Sequence, residues 1–258
     1  RLERDGSVKG YELKLKHKDG NPIFVTETGF VVRDDENHII AYYGILHDIT
    51  KRKHAEKELK LSLNKFRQAM ESIIQAMATT TEVRDPYTAG HQRRVSSLAT
   101  AIAEEMRLPK HIIEGIRLAG MIHDLGKISV PAEILTKPGK LSLLEFEIIK
   151  KHIHAGYDIL KSVEFPWPIA QIVLQHQERY DGSGYPAGLK KEEILIEARV
   201  LGVADVVEAM AFHRPYREAL GIEKALNEIS DNRGIRYDPK VADACLCLFN
   251  EKGFIFKN

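Results

Sequence analysis

The sequence predicts an α+β chain in segments: a short antiparallel β-sheet, a linker helix, and an all-α helical bundle as the main domain. Three observations carry this reading. Residues 1–50 alternate with period two, residues 51–80 carry an a/d heptad, and from about residue 85 the apolar positions recur at helical spacing. The expected domains are therefore 1–50, 51–80 and 81–258, within a chain of 258 residues that is 43% hydrophobic and 29% charged. That length suits one large domain, or a medium domain with a small one.

In the first segment Tyr11, Leu13 and Leu15 fall on one side of a strand, and Lys18 to Asn21 make a turn. A second run goes from Ile23 to Val32 and, after "RDDENH", a third from Ile39 to Ile49. Three strands make a thin sheet that wants another layer, so a larger module cut short is expected. Leu59, Leu63, Phe66, Met70, Ile73 and Met77 then alternate in steps of four and three, flanked by Lys, Glu, Arg and Gln. That is a coiled-coil seam, and it predicts a homodimer through the 56–80 helix. The alternative is an amphipathic helix packed on its own domain. Val95, Leu98, Ala99, Ile102 and Met106 begin the bundle. Ser142 and Glu145 have capping-box spacing ahead of a helix expected to reach Leu160. "PWPIAQIVLQHQER", "EARVLGVADVVEAM" and "KVADACLCLFN" each read as helices with a buried face.

A net charge of +1 argues against a broad nucleic-acid-binding face, so no DNA or RNA partner is expected. No apolar run approaches the roughly 18–20 residues that cross a bilayer, so no membrane contact is expected within the chain. With no signal peptide, and starting in mid-pattern at Arg1, it reads as a cytoplasmic fragment of a longer protein. Cys245 and Cys247 point to different helix faces and do not form a metal or redox pair; they are expected to fill or flank the core.

The chemistry lies in the histidines and acids. In "MIHDLGKI", His123 and Asp124 fall at the end of an apolar helix, where a carboxylate is costly unless paired or on metal. Lys127 lies one turn beyond His123, and Gly126 leaves room for close approach. His, Gly and Lys are also ordinary helix terminators, and this motif alone leaves both readings open. His91 opens a helix after "DPYTAG", His152 lies in "IIKKHIHAG", and His176 lies in "HQERYDGSGYP". Asp205 interrupts the apolar "LGVADVVEAM". His and Asp donors without thiolate suit Fe, Mn, Zn or Mg. Six donors spread over five helices suggest a two-metal centre. Of the remaining histidines, His17, His38, His47 and His54 read as surface residues, and His111, His154 and His213 sit among polar neighbours and are not selected as ligands.

This set, with "DPYTAGHQRRV", "AGMIHDLGKISVPAEILTKPGKL", "HQERYDGSGYPAGL" and "ARVLGVADVVEAMAFHRPYR", resembles the HD-GYP class of HD-domain phosphohydrolases over roughly residues 80–250. The resemblance implies an HD-type bundle, and hydrolysis of cyclic di-GMP to pGpG or GMP by a metal-activated hydroxide. By position, His91, His123, Asp124 and Asp205 would hold one divalent metal. Asp124, His152 and His176 would hold a second, with Asp124 bridging. Iron or manganese is favoured; zinc, nickel and magnesium are alternatives. Lys127 would face the scissile phosphate, with Asp124 and His123 in the catalytic set, Tyr185 and Pro186 beside the substrate, and Arg214 and Arg217 as its basic contacts. Glu178 is expected to orient a ligand histidine. GGDEF-type proteins are implied as partners. Two departures, Gln177 where the family often has a second histidine and Tyr87 where three-metal members carry a glutamate, favour two metals over three.

The first fifty residues, with "YYGILHDITKRKHAEKEL", resemble the C-terminal half of a PAS sensor domain; no organic cofactor is expected for this half module. Rival readings are cleavage of another cyclic dinucleotide or a nucleotide ester, non-catalytic binding of cyclic di-GMP or a protein, and di-iron oxygen chemistry.

Overall fold

A computed structural model describes residues 2–84, 90–137, 139–212 and 219–256. The chain divides into two compact units, Arg1–Met70 and Glu71–Asn258.

The first unit opens with the short helix α1 (Leu2–Asp5) and continues as β1 (Ser7–Lys16), β2 (Pro22–Arg33) and β3 (Ile39–Asp48). These form an antiparallel sheet in sequence order, with Leu13 opposite Val25 and Thr26 opposite His47. The β1–β2 turn closes through the Gly20 amide on the His17 carbonyl. The β2–β3 turn is built on Asp34, whose carboxylate accepts from the amides of Glu36 and His38. Phe30, Ile40, Tyr42, Tyr43, Ile45 and Leu46 stay exposed within this unit. That is the expected state of a thin sheet lacking a second layer.

Helix α2 runs from Thr50 to Arg84. Ile74, Ala78 and Thr81 are its buried residues. The heptad positions Leu59, Leu63, Phe66 and Ile73 are exposed.

The second unit is helical. Its centre is α3 (His91–Glu105), α4 (Lys110–Ile122) and α9 (Ile196–Ala211), which pack on one another. Val95, Leu98, Ala99 and Ile102 of α3 are fully buried, as predicted from their spacing. They lie in the same core as Ile116, Ala119 and Ile122 of α4 and Val200, Leu201, Ala204 and Val207 of α9. Each fully buried Leu, Ile or Val contributes about 1.5–3 kcal/mol. Around this centre lie α5 (Ala132–Leu135), α6 (Leu143–Lys150), α7 (His152–Leu160), α8 (Ile169–Gln175), α10 (Ile222–Asp231) and α11 (Pro239–Asn250). Cys245 is buried and Cys247 half-buried on α11.

The capping box at Ser142 and Glu145 is present. The single helix expected to reach Leu160 is instead two, α6 and α7, broken at Lys151. The cause is local. The Ile149 carbonyl accepts from the His152 ring at 2.6 Å, and the Lys151 amide turns to the Ile148 carbonyl at 3.2 Å.

Candidate metal centre

Four helix ends deliver the histidines. His91 is the first residue of α3, His123 follows the last turn of α4, His152 begins α7 and His176 follows α8. Three of them use one device. The Nδ1 atoms of His123, His152 and His176 donate to the carbonyls three residues back, Gly120, Ile149 and Val173, at 2.9, 2.6 and 2.7 Å. The last carbonyls of a helix lack intrahelical donors, so a histidine at a helix end finds a fixed acceptor there. With the proton on Nδ1, each Nε2 carries a lone pair. His91 is fixed by a side chain: its Nδ1 pairs with Glu208, whose other oxygen accepts from Arg94 Nε at 2.8 Å.

The Nε2 atoms converge on two carboxylates. Asp124 Oδ2 lies 3.6 Å from His91 Nε2 and 3.5 Å from His123 Nε2, and Asp124 Oδ1 lies 3.6 Å from His152 Nε2. Asp205 Oδ1 lies 3.4 Å from His91 Nε2 and 3.9 Å from His123 Nε2. Donor atoms of His91, His123 and Asp205 sit within 4.8 Å of one another, as do those of His123, Asp124 and His176. His123 thus stands between two groupings. His152 reaches them through Asp124, with its ring centroid 5.9 Å from that of His176.

Burial sets the electrostatics. His91, His123, Asp124, His152 and His176 are all buried. Burial pushes His176 down to about 3, and lowers His152, so both stay neutral at pH 7. Burial alone would raise Asp124 and Asp205. Lys127 and His123 overcome it at Asp124, holding that carboxyl well below its usual value. His123 and His91 overcome it at Asp205, which falls to about 2.

On the neutral imidazoles, lone pairs face carboxylate oxygens in a dry space. Among the described residues the Nε2 atoms of His123, His152 and His176 are buried without a hydrogen-bond partner. Acceptors converging on acceptors are costly alone, and a divalent cation is the group that satisfies all of them at once. The donor set of imidazole and carboxylate suits a transition metal.

The surroundings of this cluster are built for close approach. A Cβ at Gly126 would lie 1.8 Å from the His152 carbonyl oxygen, so α7 can come this near only at glycine. Lys127 Nζ bonds Asp124 Oδ2 at 2.6 Å and stands beside the cluster as a local positive charge. Gln177 donates from its side chain to Asp205 Oδ2 at 2.9 Å.

The loop after His176 folds back on its own start. Asp181 shapes the turn through the Ser183 amide and hydroxyl. The Tyr185 amide donates to the Gln177 carbonyl at 3.3 Å, and Tyr185 and Pro186 are half-buried. A Cβ at Gly184 would meet Arg179 N at 2.3 Å, so only glycine allows this return.

Glu178 departs from its expected role. Its oxygens accept from the amides of Ala187 and Leu189 at 2.7 and 3.1 Å, so it ties down the loop rather than a histidine. The carboxylate that orients a histidine is Glu208, which the sequence reading does not select. The signal was present: Glu208 lies in the same apolar helix as Asp205, where an unpaired acid is equally hard to place. Arg214, Arg217 and Tyr87 lie outside the described residues.

The chain is similar to known proteins in sequence and in fold. A family model described as HD domain matches residues 68–241. The chain is 39% identical over 193 residues to the "Cyclic di-GMP phosphodiesterase response regulator RpfG" of Xanthomonas campestris pv. campestris (strain 8004), covering 74% of this chain and 51% of that protein. It is 39% identical over 198 residues to a "Cyclic di-GMP phosphodiesterase" of Thermotoga maritima, covering 76% of this chain and 54% of that protein. The chain thus spans about half the length of these curated relatives. Among solved structures, the HDG"Y"P protein Bd1817 from Bdellovibrio bacteriovorus matches with a TM-score of 0.52 at 18% identity, over 62% of this chain and 51% of that one, a likeness of fold. No helix among the described residues is long and apolar enough to cross a membrane. The family model covers most of the second unit and takes in all six clustered His and Asp residues, and on that match this chain belongs to the HD domain family.

Proposed function

We propose that this chain is a metal-dependent phosphodiesterase that hydrolyses cyclic di-GMP. The observation that carries the reading is the convergence of four imidazole Nε2 atoms on Asp124 and Asp205, with the Lys127 ammonium alongside. The activity of the two relatives, each named a cyclic di-GMP phosphodiesterase, supports the substrate. In the assignment that fits best, His91, His123, Asp124 and Asp205 hold one divalent metal, while Asp124, His152 and His176 hold a second, with iron or manganese favoured by the donor set. Such a centre, when filled, lowers the pKa of water and neutralises charge on phosphoryl oxygens.

The chain's own residues do the rest. The helix-end carbonyls and Glu208 keep every imidazole lone pair aimed inward. Gln177 fixes one oxygen of Asp205 and leaves the other for the cluster. Lys127 stabilises the negative charge that spreads over the phosphoryl oxygens. Tyr185, its phenol pushed up to about 12 by burial, remains a hydrogen-bond donor beside the substrate. The oxygen of water bonds to phosphorus as the P–O3′ bond breaks. One proton of the water ends on the 3′ oxygen and the other passes to solvent. The product is linear pGpG with a free 3′ hydroxyl, and a second cycle gives GMP. Two chains pair through the α2 seam, and the sheet, as part of a PAS module, passes a signal along that helix.

The test is hydrolysis of cyclic di-GMP without oxygen, with Mn²⁺ or Fe²⁺ added and products separated by chromatography. The parent is expected to release pGpG or GMP, and the His123→Ala, Asp124→Ala double variant neither. A metal-loaded parent that binds the dinucleotide and leaves it uncut overturns the catalytic reading in favour of a binding module.

A further inference from the structure

Beside the histidine cluster, the last turn of α6 presents a second constellation to the loop that carries Tyr185. Phe146 and Lys150 are four residues apart and Glu147 and Lys150 three apart, so the three share one face. Lys150 Nζ lies 4.9 Å from the centre of the Phe146 ring and 5.3 Å from that of Tyr185. The same Nζ bonds Glu147 Oε1 at 2.7 Å. Lys150 precedes His152 by two residues, and Tyr185 follows His176 on the returning loop, so the constellation is anchored to the cluster from both sides. Tyr185 lies in the field of Asp205 and Asp124 on one hand and of Glu147 on the other. The core does not account for these positions: Phe146 is 42% exposed, and the side chains of Glu147 and Lys150 are 63% and 30% exposed.

We propose that Phe146, Glu147, Lys150 and Tyr185 form a subsite that recognises a guanine base of the substrate. The proposal rests on the phosphodiesterase reading above and deepens it. Guanine carries O6 and N7 acceptors, and its N1–H donor adjoins O6, with the N2 amino group beyond it. Adenine places an amino donor where guanine has O6, and an acceptor at N1. An ammonium and a carboxylate 2.7 Å apart match the neighbouring O6 and N1–H of guanine. Against adenine both charges meet a group of the wrong polarity. The two charges thus select in the same direction, and the rings of Phe146 and Tyr185 offer faces on which a purine stacks.

The experiment compares kcat/KM for cyclic di-GMP and cyclic di-AMP in the metal-loaded chain, with the parent, Glu147→Ala, Lys150→Met and Phe146→Ala. Circular dichroism checks the fold of each. The parent is expected to prefer the guanine dinucleotide. Glu147→Ala and Lys150→Met should each lower the guanine-to-adenine ratio by about 5- to 150-fold, the range for losing one edge contact. Phe146→Ala should lower kcat/KM for both dinucleotides and leave their ratio within about twofold, since stacking is tolerant of base identity. A parent that cleaves cyclic di-GMP without preferring it, or folded Glu147 and Lys150 variants with an unchanged ratio, overturns the subsite and leaves the phosphodiesterase reading intact. A parent that cleaves and binds neither dinucleotide overturns both.

Discussion

The side-chain amide of Gln177 donates to Asp205 Oδ2 at 2.9 Å and thereby divides that carboxylate in two. Oδ2 is held by the amide, while Oδ1 faces His91 and His123 at 3.4 and 3.9 Å. A position that reads in the sequence as a lost ligand is therefore a support for one. Gln177→Ala removes this side-chain anchor of Oδ2 and lets Asp205 rotate. Loss of such a partner typically costs 10- to 100-fold in metal affinity. Titration of the metal-free protein with Mn²⁺ by calorimetry should show a weakening of about that size. Affinity equal to the parent's would mean that Asp205 needs no such support.

Glu208 makes the same argument from the opposite wall. It is 1% exposed, accepts from His91 Nδ1, and pairs with the Arg94 guanidinium. Glu208→Gln keeps an oxygen for His91 but removes the negative charge that Arg94 faces there. Breaking a buried pair from one side costs about 3–5 kcal/mol. The variant should melt several degrees lower than the parent and bind Mn²⁺ about 10- to 100-fold more weakly. An unchanged melting temperature together with unchanged Mn²⁺ affinity would remove Glu208 from the support of His91.

The pattern of the sequence made the architecture legible, and the site only in part. Period-two alternation and helical spacing are local signals, and they locate the three strands and the core face of α3 because burial acts on each element separately. His91, His123, Asp124, His152, His176 and Asp205 stand out because imidazoles and carboxylates in apolar helices need partners. What holds those residues is less visible. The carbonyls of Gly120, Ile149 and Val173 leave no trace in the sequence, since every residue has a carbonyl. The break at Lys151 is hidden for the same reason, as it depends on His152 taking a backbone acceptor. Glu178 and Gln177 are adjacent, polar and ahead of a glycine loop, yet one ties the loop and the other a carboxylate. Only long-range geometry separates them.

Gly126 is where the backbone of the site has no slack. A Cβ there would sit 1.8 Å from the His152 carbonyl oxygen and 2.4 Å from Gly156 N, both main-chain atoms that cannot swing aside. Gly126→Ala must push α7 away from the turn that follows α4. Overpacking of this kind costs about 1–3 kcal/mol or more. Because His152 rides on α7, Mn²⁺ affinity should fall along with thermal stability. A variant that melts with the parent would show that α7 has room the structure does not display.

Acid should loosen the start of α6 before it affects the core. Glu145, paired with Lys137 and accepting from the Ser142 amide, is lowered to about 2. A carboxylate whose folded pKa is depressed binds fewer protons than in the unfolded chain. Its contribution is therefore complete above about pH 5 and fades as pH falls from 4.5 towards 2. Glu145→Gln lacks that contribution at every pH. The melting temperatures of parent and variant should differ most at pH 6, draw together below pH 4.5 and converge near pH 2. A gap that stays constant across this range would mean the pairing does not titrate with Glu145.

Helix α2 carries two apolar stripes, and only one is covered within the chain as described. Ile74, Ala78 and Thr81 are buried in the second unit. Leu59, Leu63, Phe66 and Ile73, four of the six heptad positions, are 62%, 60%, 71% and 60% exposed. A helix packed only on its own domain would not keep four large side chains in water at seam positions. Pairing two such helices covers four on each, at about 1.5–3 kcal/mol per side chain. Association costs about 4–15 kcal/mol, so the seam is strong enough for a dimer that dissociates on dilution. Light scattering on a sizing column should give a dimer for the parent at tens of micromolar and a monomer for the Leu63→Asp, Phe66→Asp double variant. Each Asp would be buried without a partner in the paired state, while the exposed helix of the monomer tolerates it. If the double variant still elutes as the dimer, the chains meet through another surface. If the parent is a monomer at every concentration, the seam faces a different partner and the α2 pairing fails.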